Sequence, residues 1–421
     1  MHRNGASERE IQEGLRPNRA LYGAAAFTYF SDSLLLSFLF PYAVVLGASF
    51  DQMGLMRSVR NLFQNVLQVG WGEVSERFSR RILVAIGYLS SGCLIIAILL
   101  SRESTHLLIL IIAQSILWSA AVPAWSSLLA DYTSLRTRGR VLGRIGAVSQ
   151  FSGVIAALIV ALATYAQPGE MTVFSFTIPF TLSAITALLG AILILFVKEA
   201  RVERPVRGET GILAPLLDRN FRTFLIVNGF YWFTMAFAWP LFPYITINVV
   251  HATVWQIALI SAVSGFVTSI TQPKLGSIID RFGRKPVLII SRLSFFLYPL
   301  VYGFATDWLQ LLAINALLSV SNSAAMVSFS AYIMDSSPLG LRANYVASTN
   351  MIMGIATFLG SLTGGAFASQ LSSSIGEEKA LFVSLMLAAL LRLISSLGLL
   401  LIKETLPKEC SEKFGASRQF F

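Results

Sequence analysis

The chain has 421 residues and a formal net charge of +10 at pH 7. Hydrophobic residues make up 55% of it and charged residues only 13%, against about 25% charged in average soluble domains. Too few polar side chains are present to cover a water-soluble surface, and a self-contained soluble enzyme is excluded at the outset.

Taken in chain order, a polar tail over residues 1–18 gives way to a succession of apolar runs. Each comes near the ~20 residues that cross a hydrocarbon core. They lie at 20–46, 51–72, 82–100, 107–130, 141–166 and 172–197, then at 221–249, 254–279, 286–305, 308–334, 343–371 and 380–402. All are predicted to be helices, since a lipid-exposed strand would leave its backbone groups unpaired. A charged linker rich in Arg, Glu, Pro and Gly covers 200–220, and a second polar tail covers 405–421. The predicted fold class is an all-α membrane protein whose twelve transmembrane helices form two bundles of six, at 19–199 and 221–404.

Most of the 32 lysines and arginines fall in the tails and even-numbered loops, and only Arg102 and Lys379 lie in the opposite loops. Short loops with this bias stay cytoplasmic, so both termini are expected to face inward. The positive charge then reports topology, and no nucleic-acid partner is expected; the expected surroundings are a lipid bilayer. A cleavable signal peptide is not expected either, because the start is polar and the first apolar run is too long. Cys93 and Cys410 cannot make a disulfide framework. No metal-ligand spacing, phosphate-binding loop or nucleophile elbow occurs, so no metal, cofactor or catalytic residue is expected. His2, His106 and His251 all lie outside the apolar runs. With no ATPase module, energy must come from a gradient.

One cassette occurs twice. Gly72-Glu-Val-Ser-Glu76-Arg77-Phe-Ser-Arg80-Arg81 is answered at a fixed offset by Gly276-Ser-Ile-Ile-Asp280-Arg281-Phe-Gly-Arg284-Lys285. Asp131 and Arg138 recur as Asp335 and Arg342, and Gln52 and Gln68 as Gln256 and Gln272. The two halves are therefore predicted to be pseudo-symmetric copies, the architecture in which a transporter site lies between repeats.

Gly276-x-x-x-Asp280-Arg281-x-Gly283-Arg284-Lys285 resembles the loop signature of the major facilitator superfamily between its eighth and ninth helices. The likeness of the whole chain runs from about residue 19 to 404. The first copy departs twice, with Glu76 for the usual Asp and Ser79 for the usual Gly. Ala130-Asp131…Arg138-Gly139-Arg140 is also similar to the family pattern. The resemblance implies alternating access by a functional monomer. It further implies that Glu76 and Asp280 tie one half to the other at helix N-termini. Arg80, Arg81 and Asp131 are expected partners within the first half, with Arg284 and Asp335 in the second. The glycines would let helix backbones approach closely. The plainer alternative is that these charges only set topology.

Charges present in one half alone are better guides to chemistry. Asp32, deep in the first span, is matched by Thr234 in the second half. A lone carboxylate at such depth costs ~2.5–3.5 kcal/mol on insertion scales and marks an ion or solute path more often than not. Burial and a neighbouring arginine act on such an acid in opposite senses, and a proton carrier needs that balance. Arg57 and Arg60, matched by Ser261 and Ser264, form a polar stripe at helical spacing with Asn61, Gln64 and Gln68. Asp32 is expected to approach one of these arginines. The result is either a proton or anion site or an ion pair that holds two helices together. Tyr29, Gln114, Trp118, Asn228, Tyr231, Trp232, Asn315 and Asn322 lie on spans that line the cavity in the superfamily. For each, solute contact competes with simple packing. Arg392 is expected to snorkel or pair structurally.

The functional expectation is a secondary active transporter of a small organic solute, coupled to protons, with efflux favoured. Two signatures of drug antiporters are missing: a Gly-Pro pair in the fifth span, and an arginine near Ile111. Val197-Lys-Glu-Ala-Arg201 stands where sugar porters carry their own signature. The alternatives are uptake or exchange of an organic anion, or a nontransporting receptor or assembly factor with the same fold.

Overall fold

The computed structural model describes residues 17–133, 138–167, 171–199, 214–338 and 341–405. Among them, eleven helices combine membrane-crossing length with apolar composition. In chain order these are α1 (Arg19–Val45), α3 (Arg80–Leu99), α4 (Ser104–Asp131), α5 (Arg138–Thr164), α6 (Val173–Leu195), α7 (Arg219–Val249), α8 (Val254–Phe282), α9 (Arg284–Phe304), α10 (Trp308–Ser336), α11 (Arg342–Ile375) and α12 (Glu377–Leu401). The predicted second span is also one unbroken helix, α2 (Phe50–Arg77). Its polar stripe of Arg57, Arg60, Asn61, Gln64 and Gln68 lowers its mean hydropathy below that of the other eleven.

Helix starts follow capping chemistry. The side chain of Asn18 accepts a bond from the Leu21 amide at the start of α1. Asp218 does the same for the amides of Asn220 and Phe221 at α7, and Asp307 for that of Leu309 at α10. Each satisfies donors that a first helical turn leaves open.

Interior breaks follow proline. Pro123 cannot donate to the Ser119 carbonyl, and α4 is interrupted at Ala120. In α7, Pro240 and Pro243 part the helix after Phe237. Pro299 lies just past the interruption of α9 at Phe295 and Phe296. The cause is common to all three, since proline has no amide hydrogen and its ring collides with the carbonyl one turn back.

The helices gather into two compact units. The first comprises Met1–Ala48, Val59–Gly208 and Thr253–Ala262; the second comprises Ser49–Ser58, Glu209–Ala252 and Val263–Phe421. In the first, α6 lies against α1 and α3, and α1 also packs on α5. Here Ser31 and Ser183 hydroxyls meet at 3.1 Å. In the second, α11 lies along α7, and α9 packs against α10 and α12. Thr234 and Ser395 repeat the hydroxyl pair at 2.7 Å. A Cβ added at Gly360 or Gly364 of α11 would overlap the carbonyls of Phe233 and Phe237 on α7. That is the small-residue contact through which membrane helices come together.

Two details correct the sequence reading. The run at 286–305 encloses a further cation, Arg292, which is 2% exposed. At Gly276, no atom of the described residues lies within 4 Å of where a Cβ would stand.

Candidate functional site

In the first unit, a cavity of about 220 Å³ opens between α1, α3, α4 and α5, with Asp32, Tyr29, Tyr88, Trp118, Trp125 and Ser149 among its walls. Tyr88 of α3 donates a 2.9 Å hydrogen bond to Asp32 Oδ2. Trp118, two residues before the break at Ala120, lines the same cavity. The indole N–H of Trp118 is buried without a hydrogen-bond partner. Tyr29, on the same face of α1, donates its hydroxyl hydrogen to Gln150.

Arg60 of α2 is 5% exposed and interacts electrostatically with Asp32. The two are not ion-paired. Arg60 Nη1 donates instead to Gln114 Oε1 at 3.0 Å, and Gln114 Nε2 donates to Ser91 at 3.2 Å. An arginine, an amide and a hydroxyl thus run in series behind the carboxylate. Asn61 is half-buried with an unpartnered side-chain nitrogen; Gln64, also half-buried, has its backbone carbonyl taken by Gln68. Arg57 is half-buried in the segment of α2 that belongs to the second unit.

The second unit assembles a different set. Asn228 and Tyr231 of α7 are fully covered. Trp232 stacks edge-on between Tyr231 and Trp239, at 6.0 and 6.2 Å. Asn315 is spent on the Tyr302 hydroxyl and the Leu311 carbonyl, while Asn322 is exposed. Arg392, 0% exposed, donates to the Phe295 and Met235 carbonyls at 3.1 and 2.7 Å. Both carbonyls lie at proline breaks, so this arginine serves the backbone.

The paired cassettes build matching clusters at polar helix ends. Arg80 Nη1 reaches both Asp131 oxygens at 2.8 and 2.9 Å, with both side chains buried. Arg284 holds Asp335 at 2.8 Å and Asp280 at 3.1 Å, both more exposed. Arg81, Arg281 and Arg342 are exposed. The side chains of Glu76, Arg77 and Arg138, and the surroundings of Gly72, lie outside what the structure describes.

Sequence reasoning missed one carboxylate in each cluster. Glu199 accepts bonds from the Arg80 amide and the Ser79 hydroxyl at 2.8 and 2.6 Å. Glu404 accepts from the amides of Arg284 and Lys285 at 3.1 and 3.0 Å. Both close off helix N-termini, where anions are stabilised. The signal was present as Val197-Lys198-Glu199 and its echo Ile402-Lys403-Glu404. Nearby Tyr132, just past α4, donates to the Lys198 carbonyl at 2.8 Å. Burial pushes its phenol up to about 12, which keeps it a donor.

A family model described as Major Facilitator Superfamily matches residues 21–238 and again 224–420. The chain belongs to the Major Facilitator Superfamily. It is a multi-pass membrane transporter, not an enzyme. Among similar proteins, an uncharacterised MFS-type transporter of Methanocaldococcus jannaschii is 21% identical over 87% of this chain and 91% of its own length. A triacylglyceride transporter of Mycobacteroides abscessus is 28% identical over 35% of this chain and 27% of its own length. MFS transporter L2 of Phoma sp. is 29% identical over 25% of the chain and 18% of its own length. Solved structures share the facilitator fold at low identity. The nucleoside transporter NupG has a TM-score of 0.72 at 12% identity, over 91% of this chain and 99% of its own. The human organic anion transporter MFSD10 has a TM-score of 0.60 at 14%, over 94% and 100%.

Proposed function

We propose that this facilitator is a secondary active transporter that moves a small organic solute by alternating access. Protons drive it through Asp32. Efflux is favoured over uptake, the chain works as a monomer in the cell membrane, and both termini face the cytoplasm. The observation that carries the reading is the setting of Asp32. A carboxylate that merely fastened two helices would be ion-paired, yet no cation among the described residues comes within 4 Å of it. It faces a cavity, and its hydrogen-bond partner, Tyr88, is neutral. Such an acid can exchange its proton with the cavity, and Arg60 behind it biases which form prevails. The preference for efflux rests on the general look of the sequence alone, since both antiporter signatures are absent from it. The paired clusters at Arg80 and Arg284 are read as parts of the gates. Uptake or exchange of an organic anion is the second reading, favoured by Arg60, which donates to an amide and has no ion-paired carboxylate among the described residues.

The test begins with thermal stabilisation of purified protein across nucleosides, sugars, carboxylates, amino acids and lipophilic cations, since a true solute raises the melting midpoint with concentration. With the solute found, Asp32→Asn in proteoliposomes should abolish uphill accumulation and leave solute exchange intact. Undiminished uphill transport by this variant would defeat the coupling.

A further inference from the structure

Among the described residues of the second unit, several buried polar atoms lack a hydrogen-bond partner, and Arg292, Asn228 and Tyr231 carry four of them. Arg292 of α9 is 2% exposed, and its Nη1 has no hydrogen-bond acceptor. Asn228 is 0% exposed with both amide atoms unpartnered, and Tyr231 is 1% exposed with its hydroxyl unpartnered. Asn228 and Tyr231 stand one turn apart on the same face of α7. The Arg292 guanidinium lies 4.3 Å from the Tyr231 ring and 5.1 Å from that of Phe329 on α10. A second cation, Arg392, is also felt at Tyr231, but its terminal nitrogens are held by carbonyls. Among the described residues, no carboxylate lies within ion-pair distance of either arginine.

A buried cation without a counter-ion is a costly arrangement, and buried charges are normally paired. Aromatic rings relieve part of that cost for Arg292, but they leave its Nη1 without an acceptor. A guanidinium, an amide N–H₂ and a phenol O–H together are the donors that recognise a planar oxyanion. The repeat sharpens the point. Arg80 and Tyr88 of α3 correspond to Arg284 and Arg292 of α9. In the first copy this position donates to an acid; in the second it is a cation with no acid to meet.

We propose that Arg292, Tyr231 and Asn228 form an oxyanion site whose occupant is the carboxylate of an organic solute, with Arg392 supplying a second positive charge. Only the choice of a solute carboxylate rests on the transport reading. The groups are covered, so an anion reaches them when α7 shifts away from α9, and the breaks at Pro240 and Pro243 give α7 the joint to do so.

The test is the melting midpoint of the purified full chain, titrated with sodium acetate, succinate, benzoate or phosphate, with sodium chloride holding ionic strength constant. At least one carboxylate is expected to raise the midpoint saturably, by several degrees. Tyr231→Phe keeps the ring and loses the hydroxyl, and should raise the half-saturating concentration by roughly threefold to tenfold, the loss of one hydrogen bond. Asn228→Ala should act similarly, and Arg292→Gln should raise it tenfold or more. Saturable binding without flux of that carboxylate in proteoliposomes supports the oxyanion site and overturns the choice of a transported solute as its occupant. A response to phosphate alone supports an oxyanion site and replaces the solute carboxylate with inorganic phosphate. Should Arg292→Gln fail to fold, the Tyr231 and Asn228 variants decide. The proposal falls if no oxyanion exceeds chloride, or if both of those variants keep the half-saturation of the wild type.

Discussion

Asp32 and Tyr88 form the smallest unit of the account. A hydrogen bond to a charged group contributes ~1.5–3 kcal/mol, and every ~1.4 kcal/mol is tenfold in an equilibrium constant. Tyr88→Phe is therefore expected to slow proton-driven transport by on the order of tenfold, while folded yield and solute exchange stay near wild type; a transport assay beside a melting curve separates the two effects. Asp32 stands out as a lone acid in an apolar run, and Arg60 and Gln114 as polar residues at helical spacing. The role of Tyr88 was hidden, because a tyrosine in a membrane helix is compatible with packing. Arg60 turned to Gln114 instead of Asp32, and this too was illegible, because one turn of agreement in depth does not say which neighbour a long side chain chooses. Arg292 was overlooked despite lying plainly inside an apolar run.

At the scale of helices, the apolar runs located every span, and the polar stripe of α2 marked it as the exception. Run ends were poorer guides, since α2 continues to Arg77 well beyond its apolar stretch. Glycine shows why a motif needs its backbone. Gly283 sits at φ 97°, ψ 160°, a region essentially reserved for glycine, and a Cβ there would stand 2.6 Å from a Glu404 oxygen. Ser79, at the matching place, has φ −62°, ψ 122°, which any residue accepts, so the departure from the family motif carries no strain. Gly283→Ala should thus destabilise by about 1–3 kcal/mol, and Ser79→Ala by about 1 kcal/mol through its lost bond to Glu199. Comparing their melting midpoints checks the order. A second pair of variants tests helix packing. Gly364→Ala meets the Phe237 carbonyl and should cost about 1–3 kcal/mol, whereas Gly276→Ala meets open space and should be neutral or stabilising by about 0.5–1 kcal/mol.

For the whole molecule, duplication explains what the two units share and also where they part. Arg80, Asp131 and Glu199 recur as Arg284, Asp335 and Glu404, a scaffold kept in both copies. The buried chemistry was not kept: Asp32 and Tyr88 in one unit answer to Thr234 and Arg292 in the other. Pairing the cassettes by eye recovers the first set. The second needs coordinates, because only burial and missing partners distinguish a working polar group from one facing water. The most direct measurement is proton movement driven by a solute gradient, followed with a pH-sensitive dye sealed inside proteoliposomes. Wild-type protein should move protons when the identified solute is applied, and Asp32→Asn should move none while still exchanging labelled solute. Proton movement of wild-type size in the Asp32→Asn vesicles would contradict the account.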